Sequence, residues 1–360
     1  MKLLIIGPQP EPITGNSLSN HIVSTFLPKY TDIQTDIINT SYKALKEDLG
    51  VFSIEKVLYY IKQYKNIGKI KHCDKVYITT GQTFFGVLKY LPYFLVSKFF
   101  KKELIVHIHG NHLHKEFENL KGIKKAVFHK ILSMVDKGIV LSPSLRKNLE
   151  PFLETQNIYI LENFVEDFLF DNPSQKYYSK LRVIYLSNLM QEKGILDLLE
   201  ALKLLTEHNI KFEAKIAGGI DESLRVTVEK ALGELQNVKY LGLVYGKEKK
   251  ELLEWGNTFV FPTYYAMEGQ PISIFEAMAT GNIIITTQHA GIPDVFEEGK
   301  NGFYVDKNSP QDITSKLIKV NENIEGCKII SEHNRKEAKE KYQVNQFIEK
   351  LKNILISPIK

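Results

Sequence analysis

The chain has 360 residues, 43% hydrophobic and 25% charged, proportions that exclude wholesale disorder; at roughly 150 residues per domain the length predicts two domains. Lysine and arginine total 47 against 42 acidic residues, a net charge of +5, which favours anionic partners but is too small to indicate nucleic acid. Cys73 and Cys327 are the only cysteines, which excludes a disulfide framework and a thiolate zinc cluster.

Short apolar runs alternate along the chain with longer segments of helical period. In the first half the predicted strands are Lys2–Ile6, Ile33–Ile38, Lys75–Thr79, Glu103–His107, Lys137–Leu141 and Asn157–Leu161. In the second half they are Val183–Leu186, Glu213–Ala217, Val238–Leu241, Thr258–Phe261, Asn282–Thr286 and Gly302–Val305. Helical patterns fill the gaps, among them Gly194–Thr206, Lys247–Trp255 and Pro271–Ala279. Such alternation with mostly apolar strands predicts parallel sheets covered on both faces. The expected fold class is α/β, with two Rossmann-like domains facing a central cleft, residues 1–165 and residues 181–330. The polar stretch 166–180, with Pro173, reads as a connector, and the charged segment 331–360 as a helix packing back on the first domain.

No window reaches the ~18 uninterrupted apolar residues of a membrane span; the nearest, Phe84 to Phe100, is broken by Lys89, Pro92 and Lys98. The apolar start, Met1 to Gly7, is too short for a signal peptide. A cytoplasmic protein is expected, free or peripheral on the inner face of the plasma membrane. Lys98 to Lys130 holds eight lysines interleaved with Phe99, Phe100, Phe117 and Phe128. The stretch reads either as ordinary amphipathic helices or as a dock for anionic lipid.

Ligands of doubly wound sheets bind outside the carboxyl ends of the strands, so the chemistry is sought in the loops there. After the first strand, Gln9 to Ser17 places Gly15 just before a helix, as a turn with a cap or as a ligand loop. His107, His109, His112 and His114 crowd one stretch. The pattern H-x-H-x-[DN]-H is similar to the zinc site of metallo-β-lactamase-like hydrolases, although Asn111 replaces the expected aspartate and the surrounding pattern is wrong for that fold. In the second half, Lys193 sits in a strand-to-helix turn suited to neutralising a diphosphate. Ala217-Gly218-Gly219 permits close backbone approach but is not G-x-G-x-x-G, so a dinucleotide site has no support. Phe261-Pro262 ends a strand and opens a loop carrying Glu268 and Gly269. Pro271 is placed as the first residue of the next helix, which bears Glu276. A helix start there supplies an anion site. Two carboxylates beside it suit hydroxyls on either side of a diphosphate, as in a nucleotide sugar.

Phe261 to Val305 resembles the donor-binding signature of the family 4 retaining glycosyltransferases, which have the GT-B fold. The family hallmark, a glutamate, seven residues and a second glutamate within E-G-x-P and E-A-M-A-x-G, is matched by Glu268 and Glu276; Asn301-Gly302-Phe303 matches a later N-G motif. The resemblance implies that Glu268 faces the donor sugar and Glu276 the nucleotide ribose. The backbone amides around Gly269, Gln270, Pro271 and Ile272 would hold the diphosphate. Lys193 takes the place of the family's phosphate lysine, while Asn188 stands where an arginine is usual. Gly15 resembles the family's glycine loop, and His109-Gly110 its donor-contacting histidine. Gly218 joins the donor-binding set, and Glu268, Lys193 and His109 form the catalytic one.

The implied function is metal-independent, retaining transfer of a hexose from a nucleotide-diphosphate sugar to a glycan or lipid-linked oligosaccharide acceptor in bacterial surface polysaccharide synthesis. No cofactor beyond the donor is expected, and the partners are donor, acceptor and an anionic membrane surface, without nucleic acid. Two other readings stand beside it: a non-catalytic glycosyltransferase-like partner subunit, kept open by Asn188, and a zinc-dependent hydrolase built on His107, His109 and His112.

Overall fold

The first six strands are β1 (Lys2–Gly7), β2 (Gln34–Asn39), β3 (Lys75–Ile78), β4 (Glu103–Ile108), β5 (Lys137–Val140) and β6 (Ile158–Ile160), in a computed structural model that describes residues 1–42, 59 and 61–359. Parts of the expected segments 1–165 and 331–360, residues 43–58, 60 and 360, lie outside the described residues. The six strands form one parallel sheet in the order β2-β1-β3-β4-β5-β6. Leu3, Leu4, Ile5 and Ile6 are all fully buried although they point alternately to opposite faces, as a strand covered on both sides requires. Each such side chain contributes about 1.5–3 kcal/mol by leaving water.

A second parallel sheet holds β7 (Leu181–Leu186), β8 (Phe212–Ala217), β9 (Val238–Tyr240), β10 (Thr258–Phe261), β11 (Ile283–Thr286) and β12 (Gly302–Tyr304), in the order β12-β11-β10-β7-β8-β9. Counted from its own first strand this is the 3-2-1-4-5-6 order of a doubly wound dinucleotide fold, which reverses direction between β7 and β10. Its core, from Val183 and Ile184 through Phe259, Phe275 and Ile284, is fully or almost fully buried.

The chain folds as two units, Met1–Asn163 with Met267–Gln270 and Val344–Lys360, and Phe164–Ala266 with Pro271–Gln343. Residues 166–180 are no loose linker. Buried Lys176 donates to Leu253 O at 2.6 Å, to Asn282 Oδ1 at 3.1 Å and to Gly256 O, so the stretch caps the carbonyl end of the helix Gly246–Trp255.

The terminal segment forms two helices rather than one. Lys328–Lys341 packs on the helix Ile272–Ala279 in the second unit, with Tyr342 set edge-on to Phe275 at 4.6 Å. Val344–Ile356 packs on the helix Gly15–Tyr30 in the first unit. Between them the backbone bridges to Val165, whose N–H donates to Tyr342 O at 2.7 Å. The N-G motif has a structural role here: Asn334 Nδ2 donates to Asn301 O at 2.9 Å and Asn282 O at 2.8 Å. At Gly302, with φ +150°, a Cβ would overlap Ile284 O.

Candidate active site

At the switch point of the second sheet, the loops leaving β7 and β10 are tied together. Tyr264 N–H donates to Glu192 O at 2.8 Å and the Thr263 hydroxyl to the same oxygen at 3.3 Å. Gly194 makes the approach possible, because at φ +79° a Cβ would lie 2.5 Å from Pro262 Cγ. The Tyr185 hydroxyl steadies the β7 loop from within, donating to Asn188 O at 3.1 Å and Lys193 O at 3.3 Å. Lys193 is half-buried, its ammonium 4.8 Å from the Tyr265 ring centroid and 5.5 Å from that of Phe261, a cation–π seat that aims a mobile side chain. Asn188 is exposed. Gly218, at φ +141°, lets the chain pass Ser187, where a Cβ would overlap the carbonyl oxygen.

Pro271 is extended, with φ −66° and ψ 121°, so it caps the helix Ile272–Ala279 instead of forming its first residue. Ile272 opens the helix and Glu276 lies one turn inside it, 4% exposed. A buried lysine meets Glu276: Lys249 Nζ lies 2.6 Å from Glu276 Oε1 and 2.7 Å from Glu166 Oε2. Burial opposes the charge on Lys249, but the carboxylates of Glu276 and Glu166 outweigh it and raise its pKa above the ordinary lysine value.

Glu268, Gly269 and Gln270 fold with the first unit. Gln82 fixes their position: its Oε1 accepts from His112 N–H at 2.7 Å and its Nε2 donates to Met267 O at 3.2 Å. Asn163 does the same at the other end, donating from Nδ2 to Gln270 O at 2.7 Å and from its backbone N–H to Gln270 Oε1 at 3.2 Å. Gly269 passes so close to His109 that a Cβ would overlap the His109 carbonyl. Glu268 is 8% exposed within this clamped turn.

His109 stands one residue beyond β4, its ring tilted by 36° against that of His107 with centroids 3.9 Å apart. Burial drives the His109 pKa down to about 3. His107, fully buried, is pushed well below the usual range by burial and by its neighbour His109. The Tyr77 hydroxyl, which burial keeps protonated, shares a hydrogen bond with His107 Nδ1 at 2.5 Å. His112 Nε2 turns to Glu116 Oε2 at 3.7 Å. His107, His109 and His112 therefore do not converge, and among the described residues no three His, Cys, Asp or Glu side chains gather where a metal ion could be held. Gly15, exposed, opens the helix Gly15–Tyr30. The cap there is Thr14, whose hydroxyl accepts from Ser17 N–H at 3.2 Å.

Residues 168–337 match the family model described as "Glycosyl transferases group 1". Over its whole length the chain superposes on the solved structure of HepE from Anabaena in complex with UDP-glucose, with a TM-score of 0.75, 15% identity and 99% of each chain covered. The fold is GT-B. The residues that match this family model make up most of the second unit. The amylovoran biosynthesis glycosyltransferase AmsK of Erwinia amylovora is 29% identical over 147 residues, 39% of this chain and 36% of that one. The chain thus spans little more than a third of that relative. The capsular polysaccharide biosynthesis glycosyltransferase CapM of Staphylococcus aureus is 23% identical over 96% of this chain and 92% of its own.

Nothing in the sequence pattern marks out Gln82, Tyr185 or Lys249. Gln82 sits in a bend and Lys249 in a helix, each with partners far away in the chain, while Tyr185 sits in an apolar strand although its partners Asn188 and Lys193 are close in sequence.

Proposed function

We propose that the protein is a family 4 retaining glycosyltransferase, transferring a hexose from a nucleotide-diphosphate sugar to a lipid-linked glycan acceptor in surface polysaccharide synthesis. The observation that carries this reading is the joining of the Lys193 and Phe261–Gln270 loops at the switch point of a sheet in dinucleotide-fold order, directly before the helix bearing Glu276. Lys193 and the start of the helix Ile272–Ala279 neutralise the diphosphate as it leaves, with Gly218 allowing close backbone approach. Asn188 contributes a hydrogen bond and no charge. Glu276 accepts from the ribose hydroxyls, and Glu268 orients the sugar and favours its developing positive charge. His109, uncharged near neutral pH, serves as a hydrogen-bond partner rather than a cation. Gly15, at the first turn of its helix, and the amides around Gly269 and Gln270 complete the donor set.

The acceptor oxygen bonds to the anomeric carbon on the face from which the phosphate departs. The carbon–phosphate oxygen bond breaks, and the acceptor proton passes to the departing phosphate oxygen. The anomeric configuration is retained without a protein nucleophile and without a metal. HepE with bound UDP-glucose and the polysaccharide roles in the names of AmsK and CapM support donor and pathway class. A membrane-facing acceptor is supported by Leu95 and Phe99, which share a face of the helix Leu91–Phe99 and are 53% and 80% exposed, and by Ile123, 84% exposed, among the lysines of this region.

The test is incubation with UDP-, GDP- and ADP-sugars and a lipid-linked acceptor extract in EDTA, with NMR of the product. One donor is expected to turn over in EDTA with its anomeric configuration kept. An inverted product, or turnover that EDTA abolishes, would overturn the mechanism.

A further inference from the structure

Glu276 does not stand alone. Its Oε1 is taken by Lys249 Nζ at 2.6 Å, and the same ammonium is held from the other side by Glu166 Oε2 at 2.7 Å. The three groups come from separate places in the second unit: the helix Ile272–Ala279, the helix Gly246–Trp255 and the stretch following Val165. The Glu276 and Lys249 side chains are 5% and 12% exposed, and the Phe168 ring covers the ammonium at 5.5 Å. Two carboxylates on one ammonium leave an excess of negative charge where a polar, uncharged ligand with donor hydroxyls is the natural complement. An ammonium bound to one oxygen of a carboxylate fixes its rotamer and points the other oxygen in a single direction.

We propose that Lys249 is a positioning residue for donor recognition: by holding Glu276 Oε1 it presents the other carboxylate oxygen to the ribose diol, and so sets the preference for ribonucleotide over dideoxynucleotide donors. Glu166 is the second anchor, keeping the ammonium in place when the diol is absent. The proposal rests on the reading of Glu276 as the ribose ligand.

The test is calorimetric binding of UDP, GDP and ADP and of their 2′,3′-dideoxy counterparts to wild type, Lys249→Met and Glu166→Gln. Wild type should bind one ribonucleotide at least about tenfold more tightly than its dideoxy form, the size of a hydrogen bond to a charged group. In Lys249→Met that ratio should fall to about twofold or less, mainly through weaker ribonucleotide binding. Merely structural damage would weaken both forms alike and leave the ratio standing. If Lys249→Met does not fold, Glu166→Gln, which keeps the ammonium with one anchor, should still reduce the ratio by about threefold. A wild-type ratio kept in the folded Lys249→Met protein, or in Glu166→Gln, overturns the role of Lys249 and leaves the donor reading intact. A wild type that binds none of the three diphosphates overturns the donor reading itself, and this inference with it.

Discussion

His107 carries its imidazole in the fully buried interior of the first unit, with Nδ1 hydrogen-bonded to Tyr77 and Nε2 lacking a partner. Its folded pKa is depressed, so below the unfolded value of about 6.5 the unfolded chain binds a proton that the folded chain refuses. The contribution of His107 to stability is therefore complete above about pH 6.5 and is lost on acidification at about 1.4 kcal/mol per pH unit. His109, driven down to about 3, acts in the same direction. The urea midpoint should be flat from about pH 8 to 7 and fall between about 6.5 and 5. His107→Gln, which still offers Tyr77 an acceptor, should halve that fall. A midpoint unchanged by acidification would contradict the depressed pKa values. At this scale the loops that carry the two glutamates, Lys193 and the glycines were legible because turn chemistry is a local property of a sequence, while the roles given to these residues come from the family resemblance. The partners that hold them were not legible. Lys249 looks like one of several solvated lysines in Gly246–Trp255, and only the tertiary fold shows that it alone turns inward between two carboxylates.

Among the elements, the strands were the most legible, because an apolar run bounded by turn residues needs no knowledge of its neighbours. The last helix is a different matter. Val344–Ile356 docks on the first sheet's unit through its carbonyl end, where Lys137 Nζ donates to Ile354 O at 3.0 Å and to Ser357 O, and Lys75 Nζ donates to Leu355 O. Both lysines also pair with Glu103, at 2.8 Å and 2.6 Å. Positive charge at a helix C-terminus satisfies carbonyls that have no partner within the helix. Lys137 is completely buried, so its replacement leaves Glu103 and two carbonyls short of a donor. Lys137→Met should cost about 3 kcal/mol, the lower end for breaking a buried pair, since Lys75 still serves Glu103. Equilibrium urea unfolding would measure this, and a loss below about 1 kcal/mol would mean that the helix is held by its apolar face alone. The break before this helix was not legible, because the charged pattern runs on through Tyr342 and Gln343. What stops the first helix is pairing with Val165, a contact made only in the folded chain.

For the whole molecule, two sheets of apolar parallel strands were legible from alternation alone, whereas the strand orders were not, because order is decided by which crossover goes to which side. The order of the second sheet is what gives Lys193 and Glu276 a common location: both follow central strands on either side of the reversal. No helix among the described residues is long and apolar enough to cross a membrane. The central claim, sugar transfer from a nucleotide donor at this site, is tested most directly by release of nucleoside diphosphate from a panel of nucleotide sugars, with lipid-linked acceptor supplied, by wild type and Glu268→Ala. The account predicts turnover of one donor by wild type and a loss of at least about a hundredfold in the variant, the scale of removing one preorganised transition-state contact. Equal turnover by wild type and Glu268→Ala would contradict it.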